Sequence, residues 1–263
     1  MLLQRLATTF VDSGWNVKAL QKRIVLSATY RQDSRLDAKR LEQDPANEWL
    51  GRGPSYRLAA EQIRDSALSA SGLLVRTVGG PSVYPYQPPG LWEALATRNA
   101  TKYEQGHGAA LYRRSLYTVW KRSSPPPSAI SFDAAERLFC TVNRQRTNTP
   151  LQALVLLNDP QYLEASRVLA ERMIVEGGAE PRDRITFAFR LLTSRRPDSK
   201  ELDLLNALYS DMRAEYARDK KAALKLLSVG EYRRNRALDP GEVAVCTMVA
   251  TTIMNFDEAV YKR

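Results

Sequence analysis

The sequence predicts a mainly α protein, an irregular helical bundle that carries an insertion rich in proline, glycine and arginine. Three observations support this fold class. Apolar residues recur at spacings of three and four over long stretches, which is the period of an amphipathic helix. Several prolines follow a polar residue that can cap a helix, which is a common way for a helix to begin. Between residues 79 and 132 the helical period is lost, and proline-rich and aromatic segments replace it.

The first third of the chain is predicted to form short helices. Asn16 can cap a helix over about residues 17–28, whose leucines and valines recur at helical spacing. The tract DPANEWLGRGP, residues 44–54, predicts a short turn or helix closed by glycine and proline. A further helix is predicted over residues 58–71.

The insertion begins with GGPSVYPYQPPG, residues 79–90, which predicts an extended loop because proline can continue neither a helix nor a central strand. Residues 91–96, LWEALA, predict one or two helical turns. The segment LYRRSLYTVWK, residues 111–121, combines tyrosines with apolar residues and predicts an extended segment that can be half of a short β-hairpin. The tract SSPPP, residues 123–127, ends it.

Helix starts become clearer after the insertion. Asp133, with Glu136 three residues later, fits a capping box. Thr149 can cap a helix that starts with PLQALVLL, residues 150–157. Because this segment is apolar nearly all round, we expect it to be the buried central helix. Residues 159–160, Asp-Pro, start the next helix by the same cap-and-proline device.

The last third of the chain is predicted to be helical throughout. Glycines at 177–178 end the preceding helix, and prolines at 181, 197 and 240 stand at helix starts. We therefore predict a single mainly helical domain over residues 1–263, with the irregular insertion at about 79–132. Two apolar stripes at helical spacing are Leu202, Leu205, Tyr209, Met212 and Tyr216, and Val243, Cys246, Ala250 and Ile253.

Composition narrows the classes of function. Hydrophobic residues make up 44% of the chain and charged residues 26%, as in soluble globular proteins. No apolar run approaches the roughly 20 residues of a membrane span. The N-terminal MLLQRLATTF has Arg5 where a signal peptide needs its apolar centre, and it predicts an amphipathic helix with no cap before it.

The few cysteines and histidines exclude most metal chemistry. Cys140 and Cys246 are the two cysteines, and His107 is the one histidine, so multi-histidine metal centres are excluded. No spacing typical of haem attachment or of a zinc site occurs. We predict no metal and no cofactor. We expect Cys246 to be a buried free thiol, because it lies in an apolar helical stripe.

The chain carries a net charge of +10, with a sequence pI near 9.7. Such a surplus favours anionic partners such as acidic polysaccharide, nucleic acid or a membrane surface. It is equally consistent with positive charge spread over the surface of a soluble basic protein. Arginine and lysine recur in every third of the chain without a run of five, which disfavours a basic tail for nucleic acid.

Positive charge is concentrated in the centre of the chain. Seven cations lie within 34 residues, against only Asp133 and Glu136, which gives a local charge of seven minus two, or +5. Such arginines can bind sulfate, phosphate or carboxylate in two-point fashion, or they can satisfy loop carbonyls and buried carboxylates. A catalytic role is the third alternative. The seven residues are Arg113, Arg114, Lys121, Arg122, Arg137, Arg144 and Arg146.

Other polar residues offer weaker signals. Asn148 precedes a predicted helix, where short polar side chains usually cap, and a ligand role is the alternative. His107, between glycines, is a general base only if a carboxylate or hydroxyl lies within hydrogen-bond distance. Asp257 and Glu258 are more typical of a solvated or arginine-paired helix end than of an acid–base pair. Six aromatics can stack on sugars or bases, or form the core of the irregular region: Tyr84, Tyr86, Trp92, Tyr112, Tyr117 and Trp120.

Five ordered segments carry a family resemblance. RTNTPLQALVLLNDPQYLEAS, residues 146–166, resembles the hallmark of a planctomycete-specific C-terminal domain of unknown function. The same family is resembled by GWNVKALQKRIVLSATYRQ, SYRLAAEQIRDSALSASGLL, GGPSVYPYQPPGLWE and YRRSLYTVWKR. The resemblance covers nearly the whole chain.

The resemblance implies a setting for the chain. Domains of this family usually end large exported proteins that carry a cytochrome-c-like module upstream, and they start some fifty residues earlier than this sequence does. The resemblance therefore implies an N-terminally truncated copy, an extracytoplasmic location, and the upstream domains of the same protein as partners. It implies no catalytic residues.

Three hypotheses of function follow from the sequence. The first is a non-catalytic interaction module of an exported multidomain protein, which binds an anionic ligand or acidic polysaccharide through the arginine-rich surface. Its candidate ligand residues are Arg113, Arg114, Lys121, Arg122, Arg144, Arg146, Asn148 and His107. The second is an enzyme with a site around Asp133, His107 and the arginines. The third, nucleic-acid binding, rests on net charge alone.

Overall fold

The computed structural model describes residues 2–34, 38–94 and 102–262. This part of the chain contains thirteen α-helices and one two-stranded sheet, so the predicted mainly α fold is confirmed. The strands are β1 (Tyr56–Arg57) and β2 (Tyr261–Lys262). The helices are α1 Leu2–Asp12, α2 Val17–Val25, α3 Ala38–Gln43, α4 Ala60–Ser71, α5 Leu91–Ala94, α6 Pro127–Ser131, α7 Pro150–Asn158, α8 Pro160–Glu176, α9 Pro181–Thr193, α10 Ser199–Arg218, α11 Lys220–Leu227, α12 Pro240–Met254 and α13 Asp257–Val260.

The chain divides into two compact units. The smaller unit comprises Met1–Tyr56 with Tyr261–Arg263, and the larger comprises Arg57–Val260. A single domain over residues 1–263 stays a prediction. Within the described ranges, no helix is both long enough and apolar enough to cross a bilayer.

The smaller unit holds α1, α2 and α3. Asn16 caps α2, because its side-chain oxygen accepts a hydrogen bond from the Ala19 amide at 3.0 Å, as the sequence predicts. The Phe10 and Trp15 rings meet edge to face at 5.2 Å. None of the three helices contributes a fully buried residue.

The larger unit is built around α8 and α12, which pack against each other and against α4, α9, α10 and α11. The predicted stripe of α12 is confirmed, because all four of its residues are inaccessible to solvent. Burial of a contiguous apolar surface is the main favourable contribution to folding. Other side chains with no exposed surface are Leu169, Met173, Ile185, Phe189 and Val249.

Two helices of the larger unit, α8 and α12, begin with an acidic cap followed by proline. The Asp159 carboxylate accepts from the Gln161 amide at 2.9 Å, and Pro160 is the first residue of α8. The Asp239 carboxylate likewise accepts from the Glu242 amide at 2.8 Å before α12. Proline fits this position because its missing N–H would have no partner inside the helix. The predicted starts at residues 159–160 and at residue 240 are therefore confirmed.

The prediction that α7 is the buried central helix is wrong. Leu151 and Leu154 are 56% and 54% exposed, and within α7 only Gln152 and Leu156 are buried. α7 lies at the surface with one side against α6, α8 and α12. An all-apolar helix of nine residues does not have to be central, because α8 and α12 already fill that place.

The segment at residues 111–121 forms no strand of a hairpin. It contains two 3-10 helices, Gly108–Tyr112 and Ser115–Tyr117, and makes single parallel bridges, Val75 with Arg113 and Val83 with Thr118. A single antiparallel bridge joins Lys121 to Ser124, so the partners of the segment are isolated residues rather than an adjacent strand. Of the predicted helical turns at residues 91–96, α5 confirms the first part, and residues 95–96 lie outside the described residues.

Arg64 of α4 fastens the irregular insertion to the helices. It is 7% exposed, and its guanidinium donates to the carbonyls of Leu111 at 2.7 Å and Arg113 at 2.8 Å. It also donates to the side-chain oxygen of Gln161 on α8 at 2.6 Å. Loops outside a sheet leave carbonyls without backbone partners, and a buried polar group without a partner is costly. One guanidinium with five donors satisfies several of them.

Two further arginines on α8 do the same for other loops. Arg167 is 1% exposed and donates to the carbonyl of Tyr232 at 2.6 Å. Arg172 donates to the carbonyl of Ala70 at the end of α4 at 2.5 Å. Part of the positive charge of this chain therefore lies inside the fold.

We predict that Leu169→Ala lowers the free energy of unfolding by about 2–5 kcal/mol, because it leaves a cavity at a side chain with no exposed surface. The control Leu154→Ala, on the exposed side of α7, should change it by less than about 1 kcal/mol. Chemical denaturation followed by circular dichroism measures both. Equal losses would contradict the assignment of α8 to the centre and α7 to the surface.

We also predict that Arg64→Lys lowers the free energy of unfolding by about 2–3 kcal/mol, because lysine keeps the charge but cannot reach three acceptors at once. The control Arg182→Lys alters an arginine that is 48% exposed and should change stability by less than about 1 kcal/mol. If Arg64→Lys is as mild as its control, the guanidinium does not fasten the insertion.

Candidate functional site

Gln152, in the first turn of α7, is the centre of a hydrogen-bond cluster. It is 4% exposed, and its side-chain oxygen accepts from the Thr149 amide at 3.0 Å and from Arg57. Its side-chain nitrogen donates to the Ser131 carbonyl at 2.8 Å and to the Thr147 hydroxyl at 3.1 Å. One amide therefore fixes the start of α7, the end of α6 and the loop between them.

Asp133 closes the loop that precedes α7. Its carboxylate accepts from the Thr147 amide at 2.7 Å and from the Thr147 hydroxyl at 2.9 Å. Its φ of 57° is left-handed, a conformation that aspartate tolerates better than most residues. The predicted capping box of Asp133 with Glu136 is wrong, because no helix begins there and the carboxylate serves Thr147 instead.

A cavity of about 530 Å³ lies beside this closure. Its volume falls within the range of about 300 to 1,000 Å³ that is typical of ligand pockets. The structure thus brings two of the predicted ligand residues, Arg144 and Arg146, together with Asp133. The cavity is lined by Arg57, Leu58, Ala59, Phe132, Asp133, Val142, Asn143, Arg144, Gln145 and Arg146.

The lining of this cavity carries three guanidiniums against one carboxylate. Arg57 is 5% exposed, donates to the Thr147 carbonyl, and stacks over the Phe132 ring at 5.0 Å. Arg144 donates to both carboxylate oxygens of Glu61, at 3.0 and 2.8 Å. Since these two side chains are 40% and 31% exposed, the pair contributes at most about 1 kcal/mol. The cavity therefore has a positive lining that an anion can complement.

Arg113 holds the loop of residues 77–81. It donates to the carbonyls of Pro81 at 3.1 Å, Thr77 at 3.2 Å and Gly79, and it stacks over the Tyr117 ring at 3.9 Å. At 9% exposure it is nearly buried. This geometry is the one expected of an arginine that satisfies loop carbonyls.

The other predicted ligand residues lie apart from the cavity. Arg114 lies 3.9 Å from the carboxylate of Asp65, and the ammonium of Lys121 lies over the Trp92 ring at 4.5 Å. Arg122 and Asn148 are exposed. None of these four residues lines the cavity.

His107 has the carboxylate partner that its sequence context left open. Its Nδ1 lies 2.7 Å from one oxygen of Glu231, and the other oxygen accepts from the Gly108 amide at 2.7 Å. The bonds from His107 and then Gly108 lower the pKa of Glu231 below its usual range. The His107 side chain is 77% exposed and does not line the cavity, so the pair joins two loops.

A buried charged cluster on α8 escaped the sequence analysis. Glu164 has no exposed surface, and one of its oxygens accepts from the Tyr232 amide at 2.6 Å and from the Tyr112 hydroxyl at 3.1 Å. Arg167 donates to Glu171 at 3.1 Å. The signal was three charges spaced three and four apart on a helix whose neighbouring positions are apolar.

The tyrosines beside Glu164 stay protonated. Burial, and then the Glu164 charge, raise the pKa of Tyr86 to about 12 and that of Tyr112 further still. Gly230 lies so close that a Cβ there would sit 2.3 Å from the Glu164 carboxylate. The cluster therefore fastens the loop at residues 230–232 onto α8.

Neither cysteine is part of the cavity. Cys140 is exposed and Cys246 is a buried free thiol, as predicted for the latter. Burial raises the pKa of the Cys246 thiol to about 12, so it is not a nucleophile near neutral pH. Within the described ranges, no group of three histidine, cysteine or acidic side chains is arranged to hold a metal ion.

Comparison with known proteins agrees with the sequence resemblance at the level of the family. Among curated proteins and among solved structures, none matches this chain. A family model, however, matches residues 1–209 of the 263, including every residue that lines the cavity. The chain therefore belongs to the family described as PSD1, protein of unknown function (DUF1553).

Proposed function

We propose that this chain is a non-catalytic interaction module that binds an acidic polysaccharide through the cavity lined by Arg57, Arg144 and Arg146. The observation that carries the proposal is this concave, positively lined site of about 530 Å³. Arg113, the most buried of the other candidate residues, supports the loop of residues 77–81 instead.

Charge complementarity supports an anionic ligand. The one carboxylate in the lining, Asp133, already accepts from the Thr147 amide and hydroxyl. Arg144 has a partner in Glu61, but that pair is exposed and can exchange for another anion at little cost. Sulfate and carboxylate groups match the planar fork of a guanidinium, which binds them with two parallel hydrogen bonds.

The exposure of the site supports a polymer rather than an enclosed small molecule. All residues from 142 to 146 are exposed, so the cavity opens along a surface loop. A chain of sugar residues can lie across such an opening while one charged unit enters it. An enclosed cavity would admit only a free small molecule.

An enzymatic site around Asp133 and His107 has less support. Asp133 is committed to Thr147, and His107 is paired with Glu231 away from the cavity. Nucleic-acid binding by net charge has less support too, because several arginines donate to carbonyls inside the fold.

The resemblance to planctomycete domains supports an exported multidomain protein as the setting. On that basis we propose the upstream domains of the same protein as the partner that the module docks against. Exposed apolar side chains can supply such a contact, as Phe139 and Val142 are 73% and 98% exposed.

We predict that the protein binds dextran sulfate but not neutral dextran, and that the affinity falls with salt. The double variant Arg144→Ala with Arg146→Ala should lower the affinity for dextran sulfate by about tenfold or more, because charged hydrogen bonds contribute about 1.5–3 kcal/mol each. The matched control Arg190→Ala with Arg218→Ala removes two exposed arginines elsewhere. Isothermal titration calorimetry at two salt concentrations measures the affinity of the wild-type protein, the double variant and the control for dextran sulfate.

The control decides whether the site or the net charge binds. If both double variants lose affinity equally, the binding is a general effect of positive charge and the proposed site is wrong. Absence of any salt-sensitive binding by the wild-type protein would also contradict the proposal. Thermal melting of each variant confirms that it is folded.

We predict further that Asp133→Asn strengthens dextran sulfate binding by about twofold to fivefold, because it removes the negative charge in the lining while its amide oxygen still accepts from Thr147. His107→Asn, away from the cavity, should leave the affinity unchanged. Weaker binding by Asp133→Asn would place Asp133 in direct contact with the ligand. The same titration measures both variants.

A further inference from the structure

A second cavity, of about 430 Å³, lies among α10, α11 and α12. The buried part of its lining is apolar, since Ala223 and Val245 are 2% and 1% exposed. Its lining starts at Arg213, beyond the residues that the family model matches. It is therefore separate from the arginine-lined cavity and belongs to the C-terminal helices of this chain.

Both carboxylates in this lining already accept hydrogen bonds, and one of them also has a cationic partner. The Asp239 side chain accepts from the Glu242 amide at 2.8 Å as the cap of α12. The Glu242 carboxylate accepts from the Tyr209 hydroxyl at 2.5 Å and from Arg184, which lies outside the lining. Because Arg184 offsets the charge of Glu242, the lining keeps two cations, Arg213 and Lys220, against the one carboxylate of Asp239, which is a net positive charge.

The cations of the lining, unlike its carboxylates, have no bonding partners among the described residues. Arg213 of α10 and Lys220, the first residue of α11, are exposed at the edge of the cavity. Among the residues that the structure describes, neither makes an ion pair or a side-chain hydrogen bond. The cavity thus combines an apolar interior with two available positive charges at its opening.

We propose that this cavity binds a small amphiphilic monocarboxylate. Its alkyl or aryl body lies against Ala223, Leu224 and Val245, and its carboxylate meets Arg213 and Lys220. A volume of about 430 Å³ accommodates a body of several carbons. Inorganic phosphate or sulfate would leave the apolar interior unused.

The length of the alkyl chain tests the apolar part of the site. Each buried methylene strengthens binding by about threefold to fourfold. Each step from butanoate to hexanoate to octanoate adds two methylenes, so the affinity should rise by about ninefold to sixteenfold per step. Octanol and octylammonium, which lack the carboxylate, should bind about tenfold more weakly than octanoate, because two exposed charge pairs are lost and each contributes up to about fivefold.

The experiment is a titration of the full chain followed by two-dimensional NMR of its backbone amides. We expect saturable shifts at Ala223 and Val245 with octanoate. Ala217→Trp, at an exposed lining position, should fill the opening and abolish these shifts without unfolding the protein. Its thermal melting curve checks the fold.

Charge variants test the carboxylate contact. The double variant Arg213→Ala with Lys220→Ala should lower the affinity for octanoate by about tenfold, since two exposed charge contacts are lost. The control Lys221→Ala with Lys225→Ala removes two exposed lysines of α11 that do not line the cavity, and should change the affinity less than twofold.

Four outcomes would overturn the proposal. The first two are the absence of saturable shifts with any carboxylate and equal binding of octanol and octanoate. The other two are unchanged octanoate binding in Ala217→Trp, and equal losses of affinity in the charge variant and in its double lysine control. None of them bears on the arginine-lined cavity, whose probe is dextran sulfate and whose variants lie in a different part of the chain.

Discussion

The structure depends on buried arginines that donate to loop carbonyls. A mainly helical chain with a long irregular insertion has no sheet to pair the backbone of that insertion, and its buried carbonyls need donors from elsewhere. Arg64 and Arg113 supply donors to carbonyls of the insertion and its edge, and Arg167 does so for the loop at Tyr232. Each guanidinium joins its own segment to another stretch far away in sequence. The helices form the core, and these arginines decide where the loops lie upon it.

This constraint changes how the net charge is interpreted. A net charge of +10 suggests a surface that binds anions, yet some of the positive side chains are buried inside the fold. The arginine-rich block divides accordingly, because Arg113 is nearly buried against carbonyls while Arg144 and Arg146 lie on an exposed loop beside a cavity. The functional proposal therefore rests on the local geometry of the second group and not on the total charge.

Local signals were predictable from the sequence and distant partners were not. The cap and proline at residues 159–160, and the stripe of α12, were predicted correctly because both depend on residues within one or two helical turns. Asp133 was misassigned because its partner, Thr147, lies 14 residues away. Glu164 was missed because its partner Tyr232 lies 68 residues away. Exposure of α7 was equally hidden, since apolar composition does not show which of several apolar helices reaches the centre.

The candidate cavity also depends on hydrogen bonds that hold a loop against the helices. Thr147 bonds Asp133, Gln152 and Arg57, so both ends of the loop at residues 133–147 are held against the core. Its middle, from residue 136 onwards, is exposed. A loop closed at its base and open along its length can present Arg144 and Arg146 at a fixed place without burying them. The arginine that fastens the loop, Arg57, also lines the cavity, so one side chain supports the fold and belongs to the proposed anion site.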